Sequence, residues 1–273
     1  MIDYDNADKN RSVFKLRGIG PIYYINMDDQ PERREYMESQ FKYWEIENYE
    51  RISAYDGRED DLSDILKGRY PNNMTSREVG CTTSHLRAIK HYLDTSDSPY
   101  AVIMEDDCSL DLVHYWNFTW SDFYGHFPYD WDVVQIAIIS TGDIHVKLHK
   151  RFVNDFSTAC YIITRYHAEK LVRLHCRGDK YKLDQNVKPR PVADDLIYNS
   201  GNTFAIPLLL YRTELGSSIH PDHVDVFHKK NYQAQFGYWS QQGSGVDIKD
   251  FMNYDPYLGR ISEPSQRVET QPT

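Results

Sequence analysis

The sequence predicts an α/β fold built on a single central, mostly parallel sheet flanked by helices. Three observations carry this. Short apolar runs with the composition of buried strands alternate with longer segments whose apolar residues recur at helical spacing. The clearest run, Ala101-Val102-Ile103-Met104, stops at three consecutive carboxylates, Glu105, Asp106 and Asp107. Polar groups at the end of a buried strand lie where open α/β sheets place their ligands. Finally, 273 residues with 40% hydrophobic content suffice for one large core. The expected organisation is a loosely ordered lead over residues 1–20, one domain over residues 21–240, and a polar tail over residues 241–273.

Taken in order, residues 21–25 read as the first strand, ending at Asn26. Pro31 suits the first turn of a helix with Tyr36, Met37, Gln40, Phe41 and Trp44 as its apolar stripe. Arg33 and Arg34 then stand at a helix start that follows a strand, where guanidinium forks and backbone N–H groups can hold phosphate; surface pairing with Glu32 and Glu35 is the alternative. Residues 46–55 form an expected second strand closed by Asp56-Gly57, which puts Asp56 at a strand end. A charged, turn-rich stretch over residues 58–75 holds a short helix near residues 62–66. Thr75 or Ser76 with Glu78 then opens a helix carrying Val79, Thr82, Leu86, Ile89 and Leu93. Its Gly80, Cys81 and Ser84 are small enough for close packing, and its His85 is either structural or turned to a ligand.

Beyond the acidic cluster an aromatic region leads to an expected strand over residues 131–139 and another over residues 156–164. Thr164 caps a helix with Ala168, Leu171 and Val172 inward. Residues 177–191 are basic and turn-forming and read as a mobile loop. A second acidic site, Asp194-Asp195, opens a short helix, and residues 203–211 make the last strand, whose Pro207 suggests a sheet edge.

Charge and composition exclude several classes. A net charge of −10, from 31 basic and 41 acidic residues, argues against nucleic acid as the main partner. No apolar run reaches the length of a membrane span, and the first residues lack the pattern of a signal peptide, so a cytoplasmic protein without an integral membrane segment is expected. Cys81, Cys108, Cys160 and Cys176 are widely spaced and read as buried thiols of a reducing compartment rather than disulfides or zinc ligands.

Three adjacent anions invite a neutralising cation. Hard ions such as Mn²⁺ or Mg²⁺ take one or two carboxylates plus the phosphates of a substrate, which makes a nucleotide the natural co-ligand. Asp107 and Glu105 are the expected metal ligands, with Glu105 or Asp106 on the ribose or a metal-bound water. Side-chain alternation would put Glu105 and Asp107 on one face and Asp106 on the other. Asn26, Arg33 and Asp56, each at or just after a strand end, and His85 complete the expected nucleotide pocket. An acidic solvated turn remains the alternative.

Five blocks carry a resemblance to a known family. INMDDQPERR resembles the N-L-D-R-R-P-D-R-R opening of glycosyltransferase family 25, the lipooligosaccharide and collagen galactosyltransferases. REVGCTTSHLRAI is similar to its G-E-x-G-C-x-x-S-H block, YAVIMEDDC to its I-x-E-D-D segment, TACYIITRYHAEKLV to its small-x-Y-x-I-T block, and PVADDLIYN to its V-D-x-x-L helix. They occur in the family's order between residue 21 and about residue 220. Asp29 and Gln30 stand where the family usually has an Arg pair, His167 where it has Gly, a second acid follows Asp194, and Ser218-Ile219 lacks the Asp of the usual S-D-I.

The resemblance implies a GT-A fold, a divalent metal, and transfer of a hexose from a UDP-sugar to a glycan or glycoconjugate hydroxyl with inversion. Galactose is the first expectation for that hexose and glucose the second. Such transfer needs a base for the acceptor's proton, and Asp194 or Asp195 is placed for that, Asp194 by alignment with the family's single Asp; a helix-capping role competes. Two other readings stay open: a different metal-dependent hydrolase, a phosphodiesterase or a glycosidase, and a nucleotide- or sugar-binding module of the same fold without chemistry.

Overall fold

A computed structural model of the chain describes residues 10–58, 62–140, 144–183, 187–212 and 228–254, with a two-residue strand at Arg267–Val268. Its centre is an eight-stranded sheet: β1 Ile22–Asn26, β2 Tyr49–Ser53, β3 Tyr100–Glu105, β4 Cys108–Ser109, β5 Val133–Ala137, β6 His149–Lys150, β7 Cys160–Thr164 and β8 Thr203–Tyr211. The spatial order is β2-β1-β3-β7-β5-β8-β4, with β6 also paired to β8. β1 is parallel to both β2 and β3, and β8 is parallel to β5, while β7 runs against β3 and β5. Five strands therefore share one direction, and the expected α/β architecture holds.

The period-two alternation of strands sorts the core into two layers. Along β3, Val102 and Met104 join Met37 and Phe41 of α1 (Pro31–Tyr43), Phe123 of α3 (Trp120–Tyr124) and Trp239 of α6 (Lys229–Gln242). Ala101 and Ile103 point the other way, to Leu86 and Ile89 of α2 (Ser76–Thr95), Leu171 of α4 (Arg165–His175) and Leu196 of α5 (Ala193–Tyr198). With strand order 2-1-3 and α1 and α2 on opposite faces, the carboxyl ends of β1 and β3 form the kind of switch point where open sheets bind ligands.

Local rules set several boundaries. Thr75 caps α2 through the capping box read from the sequence: its side chain accepts from Glu78 N at 3.2 Å and its N–H donates to Glu78 Oε2 at 2.8 Å. Thr164 caps α4 by accepting from His167 N. The sheet uses only residues 49–53, 133–137 and 160–164 of the longer strands expected there. Asp155–Phe156 pairs instead with Ile139–Ser140, because Ser157, at φ 96°, breaks the line of the strand.

Four expectations need correction. β8 is no edge: β5 lies on one side and β6 and β4 on the other, and all nine of its residues are buried. Pro207 falls where the register with β5 shifts between Ala205 and Leu209, so its missing N–H costs no ladder bond, and its carbonyl accepts from Trp239 Nε1 at 2.8 Å. The lead is packed from residue 10 onward. Leu16 is buried, and the Lys15 ammonium donates to the carbonyls of Val113 and His114.

The folded chain also continues beyond residue 240, since Phe251 and Met252, in and after α7 (Ile248–Phe251), are buried in the core. Among the described residues of the stretch expected to be a mobile loop, 177–183 and 187–191, Tyr181 is buried and accepts at its carbonyl from Lys67 N, and Arg190 pairs with buried Glu78 at 2.7 Å. The S-S-I segment at residues 217–219, residues 1–9 and most of the expected tail lie outside the described residues.

Candidate active site

A cleft opens at the carboxyl ends of β1, β2 and β3, where open α/β sheets bind their ligands. Asn26, Arg33, Asp56, His85, Glu105, Asp106 and Asp107 all line it, so seven sequence-predicted residues meet in one place. Arg58 and Arg77, which carry no signal in the sequence, line it too, as does Cys81, expected only as a small packing residue and buried thiol. Its wall depends on close backbone approach. A Cβ at Gly57 would meet Ser76 O at 2.1 Å, and one at Gly80 would meet Tyr55 O at 2.7 Å. Ser84 Oγ accepts from Tyr55 N at 2.8 Å, so the small residues of α2 clamp the loop after β2 as their size suggested.

The three acids are held differently. Glu105, the last residue of β3, keeps the alternation and faces α2: His85 Nε2 lies 3.3 Å from its Oε1, and Thr158 Oγ1 donates to the same oxygen at 2.7 Å. Burial works to raise the Glu105 carboxyl, but His85, the Thr158 hydroxyl and Arg33 outweigh it and hold the group below the usual carboxylate range. Asp106 faces the other way, accepting from Asn26 Nδ2 at 2.8 Å and Arg33 Nε at 2.7 Å.

The chain turns at residues 106 and 107, so the alternation ends there and Asp107 joins Asp106 at Arg33, 3.3 Å away, rather than pairing with Glu105. Burial pushes the Asp107 carboxyl up to about 7, against the pull of Arg33 and with the help of the Glu105 and Asp106 charges. Asp107 Oδ1 is buried and has no hydrogen-bond partner. An oxygen left this way is one that a hard cation such as Mn²⁺ or Mg²⁺ could take as a ligand.

Some expected ligand-binding groups turn out to be scaffolding. The Asn26 amide donates to Gln30 O and Asp106 and accepts from Arg51 Nε, so it orients Asp106 and has no donor left for a nucleotide. Asp56, exposed, is tied to Arg58, whose hydrogen bonds hold its carboxyl below the usual range. Arg58 also reaches Asp29, one of the positions that departs from the family's Arg pair, so a cation stands here on a neighbouring loop.

Asp194 and Asp195 do not line this cleft, and the structure separates their surroundings. Asp195 is buried and internally used, accepting from Arg190 N and Asn199 Nδ2. Val192 is the N-cap of α5, so Asp194 is not a cap; its Oδ1 accepts from Ser157 N at 2.6 Å. Burial pushes the Asp194 carboxyl up to about 6, with Arg151 and the Ser157 N–H pulling down and Glu105 and Asp195 pushing up. The pair Ser157-Thr158 thus joins the two acidic sites, Ser157 to Asp194 and Thr158 to Glu105. Strained non-Gly backbone held by several partners is a mark of functional sites, and Ser157 also accepts from Gln135 and Tyr198 at its carbonyl. No local sequence signal marks it.

The four cysteines are free; three are buried, and Cys81 is half-buried in the cleft wall. Among the described residues no helix is long and apolar enough to cross a membrane.

An α/β sheet whose parallel strand ends carry this acidic, arginine-rimmed cleft is consistent with a GT-A-like glycosyltransferase fold. Residues 19–122 match glycosyltransferase family 25 (LPS biosynthesis protein), a span that runs from β1 through β3 and β4 and contains every cleft residue named above. The match supports a glycosyltransferase with a nucleotide-sugar donor and a sugar acceptor. No curated protein matches the chain.

Proposed function

We propose that the chain is a metal-dependent, inverting glycosyltransferase that moves a hexose from a UDP-sugar to a hydroxyl of a glycan or glycoconjugate. UDP-galactose is the first choice of donor and UDP-glucose the second, on the family resemblance. The observation that carries the reading is the orphaned Asp107 oxygen, next to Asp106 just past the end of β3 in a cleft that also holds Glu105, Arg33, Arg58 and Arg77. The four unpaired thiols favour a cytoplasmic setting.

Asp107, with Glu105, would hold Mn²⁺ or Mg²⁺, which when bound supplies Lewis-acid neutralisation of the leaving diphosphate. Arg33 contacts both Asp106 and Asp107, and its guanidinium can turn from Asp107 to a phosphate oxygen without leaving Asp106. Asp106, fixed by Asn26, anchors that motion. Asp194 takes the acceptor hydroxyl's proton; a carboxyl near 6 is mostly ionised at neutral pH and basic enough to share a proton in the transition state. Asp195 serves as its helper or as an acid that binds the acceptor.

The test is a panel of nucleotide sugars incubated with glycan acceptors, with and without Mn²⁺, scored for nucleoside diphosphate release and acceptor mass gain. Mn²⁺-dependent UDP release coupled to a hexose added on the acceptor is the expected result. Sugar or phosphate release with no UDP would point to a hydrolase, and greater stabilisation by GDP-sugars than by UDP-sugars would overturn the donor assignment.

A further inference from the structure

On the α2 side of the cleft, Cys81 and His85 stand four residues apart, one turn above each other on the same helical face. Both face the end of β3. Cys81 Sγ, a ring nitrogen of His85 and a carboxylate oxygen of Glu105 all lie within 4.8 Å of one another, and all three residues line the cleft. The His85 Nε2 to Glu105 Oε1 separation is 3.3 Å. Neighbouring ligands around a tetrahedral ion with bonds of 2.0–2.3 Å are roughly 3.3–3.8 Å apart, so movements of about an ångström close the set.

We propose that Cys81, His85 and Glu105 form a binding site for a borderline-soft divalent cation of the Zn²⁺ class, separate in ligand chemistry from the hard-cation position at Asp107. One sulfur, one imidazole and one carboxylate, with the fourth position open to the cleft, is the donor pattern of an accessible zinc site, whereas a thiolate disfavours Mg²⁺ and Ca²⁺. The supporting shell is present. Tyr161 Oη lies 3.2 Å from His85 Nδ1 and can accept a hydrogen bond from Nδ1–H when Nε2 turns its lone pair to the ion. Thr158 contacts both Glu105 and Cys81. Binding exchanges the Cys81 thiol proton, released to solvent, for the sulfur–metal bond. Because Glu105 belongs to both sets, occupancy here withdraws it from the Asp107 side.

The site is tested with metal alone. Titrating Co²⁺ into the full chain should give, at one equivalent, a thiolate-to-cobalt charge-transfer band and the strong visible bands of tetrahedral cobalt, both bleached by equimolar Zn²⁺. Cys81→Ser should lose the charge-transfer band. As a check that needs no variant, Zn²⁺ should slow alkylation of Cys81 in the wild-type chain at least tenfold, read by peptide mass spectrometry. Absence of the band, its persistence in Cys81→Ser, or alkylation of Cys81 unchanged by Zn²⁺ overturns the proposal. None of these readouts uses a donor, an acceptor or turnover, so they stand or fall apart from the transfer reaction.

Discussion

The backbone N–H of Ser157 donates to Asp194 Oδ1 at 2.6 Å, across 37 positions of sequence. The contact fixes the carboxylate from outside its own helix and leaves Oδ2 for an incoming proton. Asn at position 194 keeps an oxygen to accept from Ser157 but cannot act as a base. Asp194→Asn should therefore lower kcat by about 10²–10⁴-fold while donor and metal affinity stay nearly unchanged, measured at saturating donor. Near-wild-type turnover would move the base to Asp195.

The same carboxyl makes a pH forecast. Its folded pKa, about 6, lies above the ordinary value of 3.8, so the folded protein binds this proton more tightly than the unfolded chain. Its contribution to stability therefore falls as pH rises from about 4 to about 6 and stays unfavourable above that. Asp194→Asn should gain stability over wild type across that window, by on the order of 1 kcal/mol at pH 7 once partial exposure is allowed for, as chemical denaturation at several pH values would show. In wild-type kinetics the acid limb of kcat/KM should fall near pH 6. A limb more than a unit away would separate Asp194 from the rate.

Arg33 sits between Asp106 and Asp107, with its side chain 12% exposed and that of Asp106 10%. Removing one partner of a buried ion pair leaves the other uncompensated, so Arg33→Met should cost roughly 3 kcal/mol in metal-free protein. Mn²⁺ should then raise the melting temperature of the variant by more than that of wild type, since the ion replaces the missing charge. Equal shifts would show that the cation does not share the arginine's place.

The helix that carries Cys81 and His85 starts at a cap the sequence already displayed. Thr75→Ala deletes the hydroxyl that accepts from Glu78 N. A loss of about 1 kcal/mol by urea denaturation is expected, and Thr75→Ser should keep most of the stability.

Legibility followed the range of the interactions. The acids at residues 105–107 could be read because an apolar run ending in charge is a local signal, and α2's cap and small residues are local as well. Pro207 misled because an edge and a register shift both leave a proline without a ladder partner, and only the neighbouring strands tell them apart. Ser157 and Thr158 gave no sign, since their meaning lies in two acids 37 and 53 residues away. Cys81 reads from the sequence as a plain buried thiol because no second cysteine lies close by; its neighbours in space are His85 and a carboxylate brought in by β3. His167, a departure from the family's Gly, is explained by packing: fully buried, it bonds Ile197 O at 3.0 Å and fills the space over Gly201, tying α4 to α5.

In the proposed reaction the end of β3 binds a nucleoside diphosphate through a divalent cation held by Asp107. Isothermal titration of UDP into the wild-type chain and into Asp107→Asn, each with and without Mn²⁺, tests it most directly. Binding to wild type only with the metal, and loss of that metal-dependent binding in the variant, is the expected result. Equal UDP affinity in the two proteins with Mn²⁺ present, or no UDP binding to wild type under either condition, would contradict it.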